Sequence, residues 1–171
     1  MILRSLGLEV SPHPVVRGSN RGLTPDYKVR KDGELVLYCE VKSVLTETHP
    51  EFGLLWQTLY NSLTADVHKA AKQFQAVNPD RTVPNVLIWM SHNFQINVNS
   101  FVDLAQGKIQ IDNIEIADLG RYTRGRFQQD IDNIDMVIWI GPGGSDDMTF
   151  VMLTQIAERQ ATLQHLFASI F

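Results

Sequence analysis

Residues 34–42 read ELVLYCEVK, and the apolar side chains of this run fall on both alternating faces. Leu35, Leu37, Cys39 and Val41 share one face, and Val36 and Tyr38 share the other. An extended run that is apolar on both faces belongs in the middle of a sheet that is covered on both sides. The chain is therefore constrained to a layered architecture with this run as a central strand. The same run carries Glu40 and Lys42. Strand side chains alternate with period two, so these two charges project from one face. Charge on a covered strand is costly unless it is paired or holds a metal ion.

The rest of the chain supplies the layers. DYKVR precedes the central run, with Asp32-Gly33 between the two, which is a hairpin signal. Upstream, residues 7–17 read as an edge strand, because Pro12 and Pro14 cannot donate to a ladder. Residues 51–63 carry Phe52, Leu55, Trp56, Leu59 and Leu63 at helical spacing, and residues 65–77 do so with Val67, Ala70, Ala71 and Phe74. Asn78-Pro79 ends that helix. NVLIWMS at 85–91 and DMVIWI at 135–140 are buried strands. Between them a short helix is expected over 98–106, an extended stretch over 107–116 and a helix over 125–133. A strand at 148–154 and a helix at 156–169 close the chain. Strands that alternate with helices make an α/β domain.

A length of 171 residues fits one domain. With 44% hydrophobic and 20% charged residues, disorder is excluded. Cys39 is the single cysteine, so no intrachain disulfide forms, and a reducing cytoplasmic setting is expected. No apolar run reaches the roughly 20 residues of a membrane span, and the opening MILRSLGLEV does not read as a signal peptide. The net charge of −4 argues against a protein that coats nucleic acid. Yet residues 1–42 hold seven basic residues against five acidic ones, so a polyanion would meet this quarter of the chain or local basic clusters elsewhere.

Pro25-Asp26 begins the strand that pairs with the central run. A two-residue turn at Asp32-Gly33 would place Asp26 opposite Cys39, on the wrong face. A three-residue turn, or a bulge near Asp26, brings it opposite Glu40. The expectation is the odd-length turn or such a bulge. Two carboxylates and a lysine converging on a sheet surface suit a hard divalent cation. Mg²⁺ takes one or two carboxylates and keeps water and substrate phosphate as its other ligands. Lys42 would offset the charge that builds on a phosphate in the transition state. The implied reaction is hydrolysis of a phosphodiester.

TPDYKV followed by LYCEVKS resembles the PD-(D/E)xK nuclease superfamily, which has the restriction-endonuclease-like fold. The resemblance covers roughly residues 7–93. It implies a core of one helix, a three-stranded meander, a second helix and a further strand. It also implies Mg²⁺, with Mn²⁺ able to substitute, and DNA as substrate. By the same resemblance Asp26 and Glu40 are metal ligands, the carbonyl of Val41 completes the site, and Lys42 is the catalytic lysine. Members carry Lys or Gln on the exposed face of the following helix, a feature that Lys69, Lys72 and Gln73 resemble. The first core helix has little chain available before Leu8 and is expected to be shortened or missing, with Glu9 a weak substitute for the acid such a helix brings. Arg17, Arg21 and the cluster Arg121, Arg124 and Arg126 are candidates for phosphate contacts. A duplex substrate would suit a homodimer with one site per strand.

Other residues read as structural. Cys39 faces away from Glu40 into the core, and Trp56, Trp89 and Trp139 are assigned to the core. The five histidines show no zinc-ligand spacing, with His92, just past a strand end, the one to watch. GPGG at 141–144 lacks the lysine of a phosphate-binding loop. The alternative reading is a catalytically inactive module of the same fold that binds nucleic acid or serves in assembly. A small-molecule enzyme on an unrelated α/β fold is a third option, without a pocket that the sequence identifies.

Overall fold

A computed structural model describes residues 2–13, 24–44, 56–111 and 114–168. Arg17, Arg21, Phe52 and Leu55 lie outside the described residues. In chain order the elements are α1 (Ile2–Ser5), β1 (Glu9–Pro12), β2 (Tyr27–Lys31), β3 (Glu34–Val44), α2 (Trp56–Val77), β4 (Asn85–Ser91), α3 (Val98–Gln106), β5 (Lys108–Ile111), β6 (Ile114–Asp118), α4 (Gly120–Thr123), α5 (Arg126–Ile131), β7 (Met136–Ile140), β8 (Met148–Met152) and α6 (Ala157–Phe167). Among the described residues, six strands form one mixed sheet in the order β1-β2-β3-β4-β7-β8, and β5 and β6 form a separate hairpin. β1, β2 and β3 are an antiparallel meander. β3, β4 and β7 run parallel, and β8 returns antiparallel at the far edge.

The sheet separates two apolar layers. On one side Leu87, Trp89, Val137 and Trp139 pack under α2 through Leu59, Leu63, Val67 and Phe74, with Phe101 and Leu104 of α3 beside them. On the other side Cys39, Val86, Ile88, Met136 and Ile138 meet Leu3 of α1 and Leu163, Leu166 and Phe167 of α6. α1 ahead of β1 spans only four residues. No helix among the described residues is long and apolar enough to cross a membrane.

Two expectations are corrected. The two helical segments over 51–63 and 65–77 join in one helix of 22 residues, because Leu59, Leu63, Val67, Ala70 and Phe74 keep a single stripe across the junction. Trp56 is 50% exposed rather than core, since it stands at the helix start, where the stripe has not yet met the sheet. Of the two routes expected to bring Asp26 level with Glu40, the odd-length turn is not the one taken: Lys31 pairs with Glu34, and Asp32 and Gly33 both take positive φ (52° and 82°), as a tight two-residue turn demands.

The register is rescued further along. Arg30 pairs with Leu35 but Val29 pairs with Leu37, so Val36 is the extra residue of a β-bulge. The bulge moves Leu35 out of the face assigned to it. Leu35 packs with Tyr38 on the α2 side, while Val36 and Leu37 both pack on the α6 side. Beyond the bulge Tyr27 pairs with Cys39, which sets Asp26 level with Glu40.

The start of β7 is tied down by charge. Asp135 is fully buried, and its Oδ1 accepts from Arg81 (2.6 Å) and Arg159 (3.3 Å). Its Oδ2 accepts from the Asn85 backbone N–H at 2.9 Å, linking the starts of β4 and β7.

Candidate functional site

β3 presents Glu40 and Lys42 toward α2, as period-two alternation requires, with Cys39 and Val41 facing the opposite layer. Glu40 is 1% exposed. Its Oε1 is ion-paired with Lys42 Nζ, and its Oε2 accepts from the Asp26 backbone N–H at 2.9 Å. In return, Asp26 Oδ2 accepts from the Val41 backbone N–H at 2.9 Å. Asp26 sits just before β2, where the ladder has ended, and its carboxylate takes the place that a strand carbonyl would fill. The N–H and C=O of one extended residue point to the same side. The carbonyl of Val41 therefore faces the Asp26 side of β3 rather than β4.

α2 closes the site from above. Gln73 Oε1 lies 3.5 Å from Lys42 Nζ, and Gln73 Nε2 donates to the Thr24 carbonyl at 2.9 Å. Gln73 thereby straps the segment that carries Asp26 to the lysine. The His13 N–H, donating to the Asp26 carbonyl at 2.8 Å, ties the same segment to the end of β1. Pro12, His13, Thr24, Pro25, Asp26 and Gln73 line a cleft of about 390 Å³ in which Asp26 is the exposed carboxylate.

Burial dominates the electrostatics. It pushes the Glu40 carboxyl above its ordinary value, against the opposing pull of Lys42, and the nearby Asp26 charge adds to the rise. The Cys39 thiol is fully buried and pushed far up by that burial, with Asp26 and Glu40 adding, so it is inert as a nucleophile.

Several expected residues fall elsewhere. Gln73 is buried at 7% exposure, not on the exposed helix face with Lys69 and Lys72. The helical phase carries it round the edge of α2 onto Lys42, while Lys69 and Lys72 stay in solvent. Glu9 is exposed on edge strand β1, opposite Arg30, and does not join the site. Arg121, Arg124 and Arg126 are all exposed. Arg121 lies over the Tyr122 ring at 4.6 Å, Arg124 pairs with Asp118 at 3.6 Å, and Arg126 pairs with Asp130 at 3.8 Å. His92 is exposed beyond β4.

One partly buried carboxylate on the same helix as Gln73 carries no sequence signal of its own. Asp66 of α2 is partly buried, and burial raises its carboxyl pKa. The charge of Lys42, the indole N–H of Trp89 and the charge of Lys69 act in the opposite direction. Asp66 stands two helical turns before Gln73.

The donor chemistry fits a hard cation. Asp26, Glu40 and the Val41 carbonyl offer only oxygen, the preference of Mg²⁺ held by one or two carboxylates and water. Among the described residues, no group of three or more His, Cys, Asp or Glu gathers into a fuller cage. Both Glu40 oxygens are engaged by the chain itself, so coordination through Oε1 requires Lys42 to let go. Comparisons with protein-family models, curated proteins and solved structures return no match for this chain.

Proposed function

We propose that this chain is a metal-dependent nuclease of the PD-(D/E)xK type that hydrolyses DNA phosphodiester bonds. One observation carries the reading: Asp26, Glu40 and Lys42 meet at one point on β3, joined by the Asp26–Glu40 and Asp26–Val41 hydrogen bonds and the Glu40–Lys42 ion pair. The element order supports it: a short helix, an antiparallel meander, a long helix and then a strand parallel to the third. That succession is the core expected of the restriction-endonuclease-like fold.

In this reading Asp26, Glu40 and the Val41 carbonyl hold Mg²⁺ or Mn²⁺. When bound, the ion supplies Lewis-acid polarisation of the phosphoryl oxygen. Lys42 places its ammonium against the charge that grows on the phosphate, where a low-dielectric surround strengthens it. Gln73 keeps that ammonium in reach. The exposed Asp26 marks the cleft by which the backbone of the substrate enters. Lys69, Lys72, Arg121, Arg124 and Arg126 are candidates for outer phosphate contacts, and a duplex would be cut by two copies of the chain.

The test is Mg²⁺-dependent nicking of supercoiled plasmid by the purified protein. Asp26→Ala and Lys42→Ala each abolish nicking while circular dichroism shows a folded chain. Full activity in either variant refutes the assignment. A second reading, a non-catalytic module that binds nucleic acid or assembles, is favoured by one fact: both Glu40 oxygens are satisfied by the chain's own groups. DNA binding that persists in EDTA, without any thermal response to Mg²⁺, selects that reading.

A further inference from the structure

One wall of the cleft has no part in the reaction as described. β1 pairs with β2 as far as Pro12 and Tyr27, so the next residue, His13, stands opposite Asp26. The His13 N–H, donating to the Asp26 carbonyl at 2.8 Å, closes that pair. Asp26 is in turn level with Glu40, since Tyr27 pairs with Cys39. His13, Asp26 and Glu40 therefore form one row across three strands. Directly opposed residues of antiparallel strands project from the same face.

Two further observations hold the imidazole on the cleft side of that row. Its ring lies 6.2 Å from the Tyr38 ring, and Tyr38 stands two residues before Glu40 on the face turned to α2. His13 also lines the cleft of about 390 Å³, beside Thr24, Asp26 and Gln73. It does not extend the cation site: among the described residues, no three His, Cys, Asp or Glu gather into a cage. Two strand spacings, roughly 10 Å, separate it from Glu40. An imidazole carries at least one ring N–H in either neutral tautomer and two when protonated, so it is a donor in every state. The next row on the same face brings a cation: Lys28 follows Asp26 by two residues and pairs with Ser11.

We propose that His13 is a substrate-contacting residue whose ring N–H donates to a non-bridging oxygen of the phosphate next to the one that is cut, the substrate backbone leaving the site across β2 and β1 toward Lys28. The phosphate that is cut lies at Lys42, and the row carries the strand from there to His13. A contact to a phosphate that does not react holds substrate and transition state alike, so it sets KM rather than kcat. This rests on reading Asp26, Glu40 and Lys42 as a nuclease site. Binding of DNA in the absence of any divalent ion tests the contact apart from that reading.

The experiment uses the intact chain and two variants that part the ring from its donor. His13→Phe keeps a ring against Tyr38 and removes the N–H. His13→Gln keeps an N–H donor and removes the ring. In the first arm a short fluorescein-labelled DNA duplex is titrated in EDTA and followed by anisotropy. His13→Phe should bind about tenfold more weakly than the wild type, and His13→Gln within about threefold of it. Equal binding by the wild type and His13→Phe overturns the proposal. So does a loss in His13→Gln with none in His13→Phe, which is the pattern of a ring that merely packs on Tyr38. The second arm follows Mg²⁺-dependent cleavage of a duplex with a mapped cut, and of the same duplex with one neutral methylphosphonate beside the cut, on either side in turn. On one side the methylphosphonate should raise the wild-type KM about tenfold with kcat unchanged. In His13→Phe the KM starts about tenfold higher and that methylphosphonate adds nothing, because both changes remove one contact. Fully additive effects overturn the proposal. Binding that follows the donor in the first arm, without any cleavage in the second, removes the nuclease reading and keeps His13 as a phosphate contact. A wild type that neither binds nor cuts DNA overturns both.

Discussion

Substitution of Glu40 by Gln separates the cost of the site from its use. Glu40 is 1% exposed, and burial raises its carboxyl pKa more than Lys42 and the Asp26 N–H lower it. An acid whose folded pKa is raised stabilises the fold below its ordinary value of 4.5 and loses that contribution as pH climbs through the folded value. At neutral pH the ionised carboxylate is therefore a net burden on the fold. Each tenfold displacement of its proton equilibrium is worth about 1.4 kcal/mol. For a chain of this size 1 kcal/mol moves the melting temperature by about 2–4 °C. Glu40→Gln keeps an oxygen for the Asp26 N–H and removes the charge. It should melt higher than the wild type at neutral pH without divalent ions, by about 3–6 °C for each such tenfold step. The difference should vanish at a pH below 4.5. Mg²⁺ at a hundred times its Kd should then raise the wild type by about 2.7 kcal/mol, or about 5–11 °C, and Glu40→Gln much less. The order of the two proteins should reverse on adding Mg²⁺, which differential scanning fluorimetry reads directly. A Glu40→Gln protein that melts lower than the wild type at neutral pH without divalent ions, by the same margin at every pH, would refute the dominance of burial. Equal Mg²⁺ responses would remove Glu40 from the cation site.

Two further predictions test the frame around the site. Asp135→Ala leaves Arg81 and Arg159 without the buried carboxylate they share and strips the Asn85 N–H of its acceptor. Urea unfolding should show a loss of about 3–5 kcal/mol. Deleting Val36 removes the bulge yet leaves Arg30 opposite Leu35, Val29 opposite Leu37 and Asp26 level with Glu40. That variant should retain the Mg²⁺-induced rise in melting temperature, and its loss would show that the bulge does more than count residues.

What could be seen in the sequence, and what could not, divides along a physical line. The strands at 85–91 and 135–140 are apolar on both faces and stand out by composition, and they match β4 and β7. α3 matches the helix expected over 98–106, and in the structure Asn97 caps its start and Gly107, with φ 75°, ends it. Over 125–133 the expected helix shrinks to Arg126–Ile131 behind Gly125, whose φ of 74° breaks it from α4. The position of the bulge left no trace, since Leu35, Val36 and Leu37 are all apolar and any two of them could share a face. Glu40 and Lys42 were visible because charge on a central strand violates its pattern. What offsets that charge was invisible. Asp26 reaches Glu40 only because one residue is bulged out of β3. Gln73 reaches Lys42 only because of the phase at which α2 lies on the sheet, and as a polar residue on a helix it read as solvent-facing. A pattern of residues exposes an electrostatic liability directly, because a misplaced charge needs no partner to be noticed. Its compensation is assembled from segments far apart in the chain, so it becomes legible only with the register.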